Sequence, residues 1–120
     1  MSLENFIKKI NQDEPVSFHE TMIVITENYH YQPTEFSIGL DDDILANPAG
    51  TNEGSCKIFA FAKRHHLSQQ QTLNLFGDYY RKDVLSNPQG TEHQNIRRFM
   101  QYGWEGIHFN GDALTSVNNP

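Results

Sequence analysis

Cys56 and His93 are the residues whose types and positions most readily suggest chemistry. Cys56 follows Gly54-Ser55 in the first turn of an expected helix, where the helix dipole and free N–H groups can stabilise a thiolate. His93 could serve as the base of such a thiol, which would make the chain a thiol hydrolase. The side chains that could orient the imidazole are Asn95, Asn110 and Asp78.

A nine-residue segment occurs twice, forty positions apart. Residues 43–51 read DILANPAGT, and residues 83–91 read DVLSNPQGT. In each copy Asn-Pro-x-Gly predicts a type I turn, with proline second and glycine fourth. We interpret the pattern as a duplicated loop-then-helix unit over residues 36–63 and 76–103. Two copies are too few for a solenoid, so we expect one domain with a pseudo-two-fold relation between two helices.

The alignment of the two copies bears on the role of the cysteine. Cys56 aligns with Ile96, and Phe59 aligns with Phe99. This places Cys56 on a core-facing stripe, where a free cysteine behaves as a small hydrophobic residue. Lys57 could still lower the pKa of the thiol if the sulfur is exposed. The duplication therefore favours a structural cysteine over a nucleophile.

His93 aligns with Glu53, and each residue is expected in the first turn of its helix. A carboxylate is favoured there, whereas a protonated imidazole is not. A neutral His93 would be available as an acceptor, base or ligand, or it could hydrogen-bond a neighbouring loop. We expect Glu53 and His93 to occupy equivalent positions and to line one groove.

Composition limits the classes of partner. The 120-residue chain has a net charge of −6, and its Lys and Arg residues are scattered, which argues against nucleic-acid binding. We find no bilayer-spanning apolar run and no secretory signal peptide, so we expect a soluble cytoplasmic protein without membrane contact. The single cysteine excludes an internal disulfide. A protein or small ligand is the expected partner.

No metal and no cofactor are expected. The sequence has no Cys pair and no His-x-x-x-His spacing, and adjacent His65 and His66 diverge on a helix. Asp41-Asp42-Asp43 lacks the alternating ligands of a calcium loop. We interpret this acidic triplet as a solvated turn.

Helical periodicity defines most of the elements. A first helix covers about residues 3–10, and a second runs from about Phe18 to about Tyr31 behind a Ser17/Glu20 capping box. A third, central helix begins near Ser55 and ends in the basic run 63–66.

Two further capping boxes predict the later helices. Ser68 and Gln71 open a fourth helix that either crosses Gly77 or restarts at Asp78. Thr91 and Gln94 open a fifth, with Ile96 and Phe99 on its buried side. About five helices are expected.

A small β element completes the predicted fold. Residues 36–40 alternate as a strand does, and this segment could pair with the strand that begins at Ile107. Asn110-Gly111 predicts a hairpin turn between Ile107 and Leu114. The fold class is therefore α+β and mostly helical, in a single domain over residues 1–120 with a frayed tail at 115–120.

Aromatic rings occur beside charges in two segments, 78–81 and 103–106. Such clusters suit a recognition surface, although Trp and Tyr equally often fill a core and keep one polar tip. Together with the helix starts that follow the repeated loops, they give twelve candidate binding residues. These are Asn52, Glu53, Lys57, Asp78, Tyr79, Tyr80, Arg81, His93, Gln94, Arg97, Trp104 and Glu105.

The chain resembles the HopJ family, which is named after candidate type III secretion effectors of plant-pathogenic Pseudomonas. The resemblance extends from the second helix to Leu114. Its motifs are GSCKIFAFAK at 54–63, FGDYYR at 76–81, HQNIR at 93–97 and GWEGI at 103–107. The resemblance implies delivery into host cells and carries no catalytic mechanism.

Two functions remain open from the sequence. The first is a bacterial binding module for a protein or small ligand, acting through the surface around the repeated loops. The alternative is a thiol hydrolase that uses Cys56 and His93. The location is the bacterial cytoplasm or, if the protein is secreted, a host cell, where the partner would be a host protein.

Overall fold

The computed structural model describes residues 2–117 and shows a mostly helical α+β domain, as predicted. The α-helices are α1 (Leu3–Asn11), α2 (Phe18–Asn28), α3 (Glu53–Arg64), α4 (Gln69–Asn74) and α5 (Gln94–Tyr102). A π-helix (Tyr79–Val84) precedes α5, and a 3-10 helix (Gly103–Gly106) follows it. Within residues 2–117, no helix combines the length and apolar character needed to cross a membrane.

Two of the three predicted capping boxes are confirmed. Ser17 caps α2 and Ser68 caps α4, each with the reciprocal side-chain bond from the third helical residue. The predicted Thr91/Gln94 box is wrong. Helix α5 begins at Gln94 with His93 as its N-cap, and the Gln94 side-chain amide instead donates to the Thr91 backbone carbonyl at 2.7 Å.

The second helix is shorter than predicted. It ends at Asn28, because residues Tyr29–Tyr31 leave the helix as strand β1 and pair with strand β5 (Leu114–Ser116). The fourth helix does not cross Gly77, and the chain resumes as the π-helix. Gly77 has φ +62°, and a Cβ there would lie 2.6 Å from the backbone nitrogen of Phe18. Only glycine fits where the chain passes this close to the start of α2.

Within residues 2–117, five short strands form two antiparallel sheets. Strands β1 and β5 make one, and the other has the order β3-β2-β4, with β2 at Phe36–Ile38, β3 at Leu45–Asn47 and β4 at Ile107–Phe109. The predicted pairing of the two segments is confirmed, with Phe36 opposite Phe109.

The predicted hairpin at Asn110-Gly111 is wrong, because β4 and β5 belong to different sheets. Residues 110–113 connect the two sheets, with a backbone hydrogen bond at each end of this segment. The Asn110 N–H donates to the Glu35 carbonyl, and the Gln32 N–H donates to the Ala113 carbonyl. Part of the predicted frayed tail, Thr115 and Ser116, is instead paired in β5. The end of that tail, 118–120, lies outside the described residues.

Helix α3 is the central helix, as predicted, and Phe59 lies at the middle of the core. Its ring centroid is 6.1 Å from that of Phe36, 5.4 Å from that of Phe76 and 5.0 Å from that of Phe99. All four side chains are buried. The phenylalanines that the repeat aligns in sequence thus pack into one aromatic cluster.

The two repeat copies differ in conformation. Residues 45–47 form a strand, whereas residues 85–87 follow the π-helix as a turn. The Gly90 N–H donates to the Asn87 carbonyl, as the predicted turn requires, but in the first copy the bond joins Thr51 to Pro48, one residue later. The helix starts are offset in the opposite direction, since Glu53 is the first residue of α3 whereas the aligned His93 is the N-cap of α5.

The carboxyl end of α3 is joined to β1 through a histidine. The Tyr29 hydroxyl lies 2.6 Å from His65 Nε2, and the His65 ring packs on Phe61 with centroids 4.5 Å apart. The Arg64 guanidinium lies 5.1 Å from the centre of the Tyr29 ring. Burial, followed by the charges of Arg64 and His66, lowers the pKa of His65 below its ordinary value of 6.5.

This environment predicts a loss of stability in mild acid. Because the pKa of His65 is lower in the folded chain, the unfolded chain binds the proton first, and the free energy of unfolding should fall as the pH drops from about 7.5 to about 5.5. Urea unfolding across this range should show a shallower decline for His65→Gln than for the wild type. An unchanged slope in the variant would contradict this assignment.

Candidate functional site

A cleft of about 460 Å³ opens between the first turns of α3 and α5. This volume falls within the range of roughly 300–1,000 Å³ that is usual for small-molecule sites. Apolar and aromatic side chains share its wall with polar groups from both helix starts. The lining residues are Phe18, Leu45, Asn52, Gly54, Ser55, Phe76, Tyr79, His93, Gln94, Asn95 and Ile96.

Both helix starts at the cleft are uncapped. The N-cap residues Asn52 and His93 have left-handed backbones, with φ of 49° and 57°, and neither side chain caps its helix. The first N–H groups of an α-helix have no partner within the helix, and they carry partial positive charge. Serine side chains satisfy such a group in α1, α2 and α4. The cleft therefore offers backbone donors beside apolar surface.

A buried amide pair fixes the two helix starts relative to each other. Asn47 and Asn95 exchange two side-chain hydrogen bonds of 3.0 Å, and they are 1 % and 6 % exposed. The Asn52 side chain adds a third bond of 2.6 Å to Asn47 Oδ1. Paired buried amides are stable in an apolar core, whereas unpaired ones are costly. This network joins the first repeated loop to the helix that follows the second.

The π-helix places two side chains against His93. The Tyr79 ring lies 5.3 Å from the His93 ring and meets Phe18 edge-on at 5.0 Å. Asp83 Oδ2 lies 3.2 Å from His93 Nε2. Wide helical turns of this kind are frequent at functional sites. The imidazole is therefore held between an aromatic ring and a carboxylate at the wall of the cleft.

Cys56 lies in the core and not in the cleft. It is 1 % exposed, its sulfur donates to the Thr34 carbonyl at 3.6 Å, and burial raises the pKa of the thiol. Lys57 Nζ lies 4.7 Å from the centre of the Tyr31 ring. Because a thiol hydrolase needs an accessible thiolate beside its base, this geometry does not support the Cys56 and His93 pair.

Glu53 and His93 are not the pair that shares the cleft. Glu53 is exposed and lies near Tyr31, where burial and then this carboxylate raise the pKa of the phenol. Asn52 lines the cleft opposite His93, since both are left-handed N-cap residues. The one-residue offset between the copies accounts for this correction.

Three other candidate residues hold the local structure. Arg81 donates to the Val16 carbonyl at 2.7 Å, and Tyr80 is buried with its hydroxyl 3.3 Å from Gln70 Nε2. Arg97 binds the Glu92 side chain and backbone carbonyl. The Tyr80 contact joins the π-helix to α4, the two arginines bind neighbouring loops, and none of the three side chains lines the cleft.

The remaining candidates lie at the edge of the cleft or away from it. Gln94 lines the cleft. Asp78 is exposed and lines an adjoining groove, and Tyr79 lines both the cleft and that groove. Trp104 packs edge-on against the core and donates to the Leu67 carbonyl at 3.0 Å, and Glu105 is exposed beside it.

The acidic triplet is not wholly a solvated turn. Asp43 Oδ1 lies 2.9 Å from an Arg98 nitrogen, and its other oxygen accepts from the Tyr102 hydroxyl at 2.8 Å.

Within residues 2–117, no group of three or more His, Cys, Asp or Glu side chains is arranged to hold a metal ion.

Sequence reasoning missed Ser55, Asp83 and Asn47 as residues of the site. Asn47 and Asp83 belong to the repeated segment, so the duplication itself contained a signal. Their partners, Asn95 and His93, could not be read from the spacing, because the two copies fold differently at these points.

The fold is a small α+β domain with a cleft between the first turns of α3 and α5. The sequence matches the family described as HopJ type III effector protein over residues 3–114, and the chain belongs to this family. This confirms the resemblance seen in the motifs.

A solved structure shares the whole fold. It is described as the crystal structure of unknown function protein VPA0580, with 44% identity and a TM-score of 0.91. The alignment covers 97% of this chain and 94% of the other. A search of the curated proteins finds no significant match.

Proposed function

We propose that this HopJ protein is a binding module whose ligand lies in the cleft between the starts of α3 and α5. The observation that carries the proposal is the convergence of both repeat copies on one cleft of ligand size. Sites for small molecules typically combine apolar walls with a few fixed polar groups. Here Tyr79 and Phe18 supply the aromatic wall, and Ser55, His93 and Asn95 supply the polar groups.

The lining indicates the chemistry of the ligand. The uncapped backbone N–H groups at the helix starts, including those that follow Asn52, favour a hydrogen-bond acceptor on the ligand. The rings of Phe18 and Tyr79 favour a flat apolar group. The ligand is therefore a small molecule, or one side chain of a partner protein, that combines an aromatic or apolar body with an acceptor. The buried Asn47 and Asn95 pair keeps the site preformed, which limits the entropy lost on binding.

Thermal-shift screening tests this proposal. A library of aromatic acids, amides and nucleosides should contain compounds that raise the melting temperature, because a ligand at 100 times its Kd stabilises the folded state by about 2.7 kcal/mol. For these compounds, Tyr79→Ala should reduce affinity by about tenfold or more. Tyr79 is 43% exposed, so the substitution should leave the fold intact.

A matched control separates the cleft from the rest of the surface. His108 is an exposed residue of β4, and His108→Ala should leave every shift unchanged, whereas His93→Ala should reduce them. Compounds that stabilise the wild type and Tyr79→Ala equally would contradict a site in the cleft.

Membership of the effector family supports delivery into a host cell. The ligand would then be a host metabolite or a side chain of a host protein. The alternative is a role in the bacterial cytoplasm. A translocation reporter fused to the chain, compared in secretion-competent and secretion-deficient bacteria, decides between the two locations. Signal that is independent of the secretion system would rule out delivery.

A further inference from the structure

The end of α3 is a basic surface on an acidic protein. Lys63, Arg64 and His66 are exposed there, while the whole chain has a net charge of −6. The helix dipole favours basic side chains at the carboxyl end of a helix, which explains the position of these residues. The dipole does not neutralise their charge. This surface lies outside the lining of the cleft described above. We call Lys63 and His66 the basic ridge.

Two apolar grooves flank the basic ridge, and both ridge residues line each of them. The first has a volume of about 260 Å³ and the second about 300 Å³. The apolar residues of the first are Ala60, Phe109, Ala113 and Leu114, and those of the second are Ala62, Leu67, Trp104 and Ile107. Lys63 and His66 thus separate two grooves with apolar linings on a chain whose net charge is −6.

The charges near the ridge are incompletely neutralised. Arg64 is engaged, since it donates to the Leu114 carbonyl at 3.3 Å and lies over the Tyr29 ring. Lys63 Nζ lies 5.9 Å from the centre of the Phe109 ring, and no ion pair of Lys63 is found among residues 2–117. Among residues 2–117, Asp112 is the one carboxylate that lines either groove. Lys63 and Arg64 give two formal positive charges against this one, with His66 counted as neutral, so the surface keeps a net positive charge.

We propose that the basic ridge and its two grooves bind an acidic segment of a partner protein, with a carboxylate on the ridge and an apolar side chain in each groove. The positive charge of the ridge favours a carboxylate of the partner. The apolar linings of the grooves favour apolar side chains beside that carboxylate in the partner segment. An extended polyanion such as nucleic acid fits poorly, because the net charge of the protein repels it and the apolar linings stay uncovered.

The chain contains its own reporter for this test. Trp104 is the single tryptophan and lines one groove, so a ligand in that groove should change its emission. The probe is a capped peptide in which glutamate alternates with leucine, and the matched probe has glutamine in place of glutamate. We expect a saturable change in emission with the glutamate peptide and binding about tenfold weaker with the glutamine peptide. Amide shifts at Lys63 and His66 should follow the same curve.

Charge reversal supplies the second test. Lys63→Glu should weaken binding of the glutamate peptide about tenfold, whereas Lys8→Glu, an equivalent exposed change on α1, should leave it unaltered. His66→Ala provides a milder variant, and circular dichroism checks the fold of all three. The proposal is overturned if both peptides bind equally or if Lys63→Glu has no effect. It is also overturned if saturation is absent up to about 1 mM, or if a single-stranded oligonucleotide binds here and the peptide does not.

Discussion

Replacing Phe59 by alanine should lower the free energy of unfolding by about 3–5 kcal/mol. Phe59 is fully buried on the central helix, and its ring contacts three other phenylalanine rings. Removing it leaves a cavity that both repeat copies line, and these rings can close it only partly. Urea unfolding followed by circular dichroism measures the loss.

Two comparisons make the Phe59 result specific. Phe59→Leu keeps most of the buried volume, so it should cost less than about 1.5 kcal/mol. Phe109→Ala removes a partly exposed ring from β4 and should cost less than Phe59→Ala. If Phe59→Ala costs no more than Phe109→Ala, then Phe59 is not the centre of the core.

Replacing Asn47 by alanine should cost about 2–4 kcal/mol, because it leaves buried polar groups without partners. The Asn95 amide would lose both of its 3.0 Å bonds, and Asn52 would lose its bond to Asn47 Oδ1. The same variant should loosen the cleft, since this network fixes the two helix starts. Chemical denaturation gives the energy, and faster hydrogen exchange at Cys56 and Arg97, whose N–H groups donate to the N-cap carbonyls of α3 and α5, shows the loosening.

The repeat provides the matched control for Asn47. Asn87 is the same residue of the second copy, but it is exposed, and Asn87→Ala should change stability by less than about 0.5 kcal/mol. Equal costs for the two substitutions would mean that the buried amide pair is not what stabilises this region.

Local signals in the sequence predicted much of the fold. The apolar stripes of α1 and α3 and the serine caps of α2 and α4 depend on neighbours within four residues, and they formed as expected. Tertiary pairing decided the exceptions. Residues 29–31 continue the helical pattern of α2, but pairing with β5 draws them into a strand.

The site was harder to predict than the fold, because it depends on a shift of one residue. The two copies are aligned in sequence, yet α3 begins one aligned position earlier than α5, so the N-cap of α3 is Asn52 and that of α5 is His93. The sequence pattern predicts a groove at the starts of α3 and α5, where the candidate cleft lies, but it pairs His93 with Glu53 in place of Asn52. The link between Asn47 and Asn95 spans 48 positions, and no local rule predicts it.

The π-helix was also invisible in the sequence. Residues 79–84 have an ordinary helical pattern, and the wider turn arises where the chain leaves Gly77 against the start of α2. That turn presents Tyr79 and Asp83 to His93. Residues of a functional site often depart from local propensity in this way.

The most direct test of the central claim is an amide chemical-shift map of the ¹⁵N-labelled protein with a compound from the thermal-shift screen. Ser55→Trp places an indole in the cleft, and His108→Trp makes the same change on an exposed strand. The cleft predicts saturable shifts concentrated at residues 52–55 and 93–96 in the wild type and in His108→Trp, and their loss in Ser55→Trp. Shifts centred elsewhere, or shifts that persist in Ser55→Trp, would contradict a ligand site between α3 and α5.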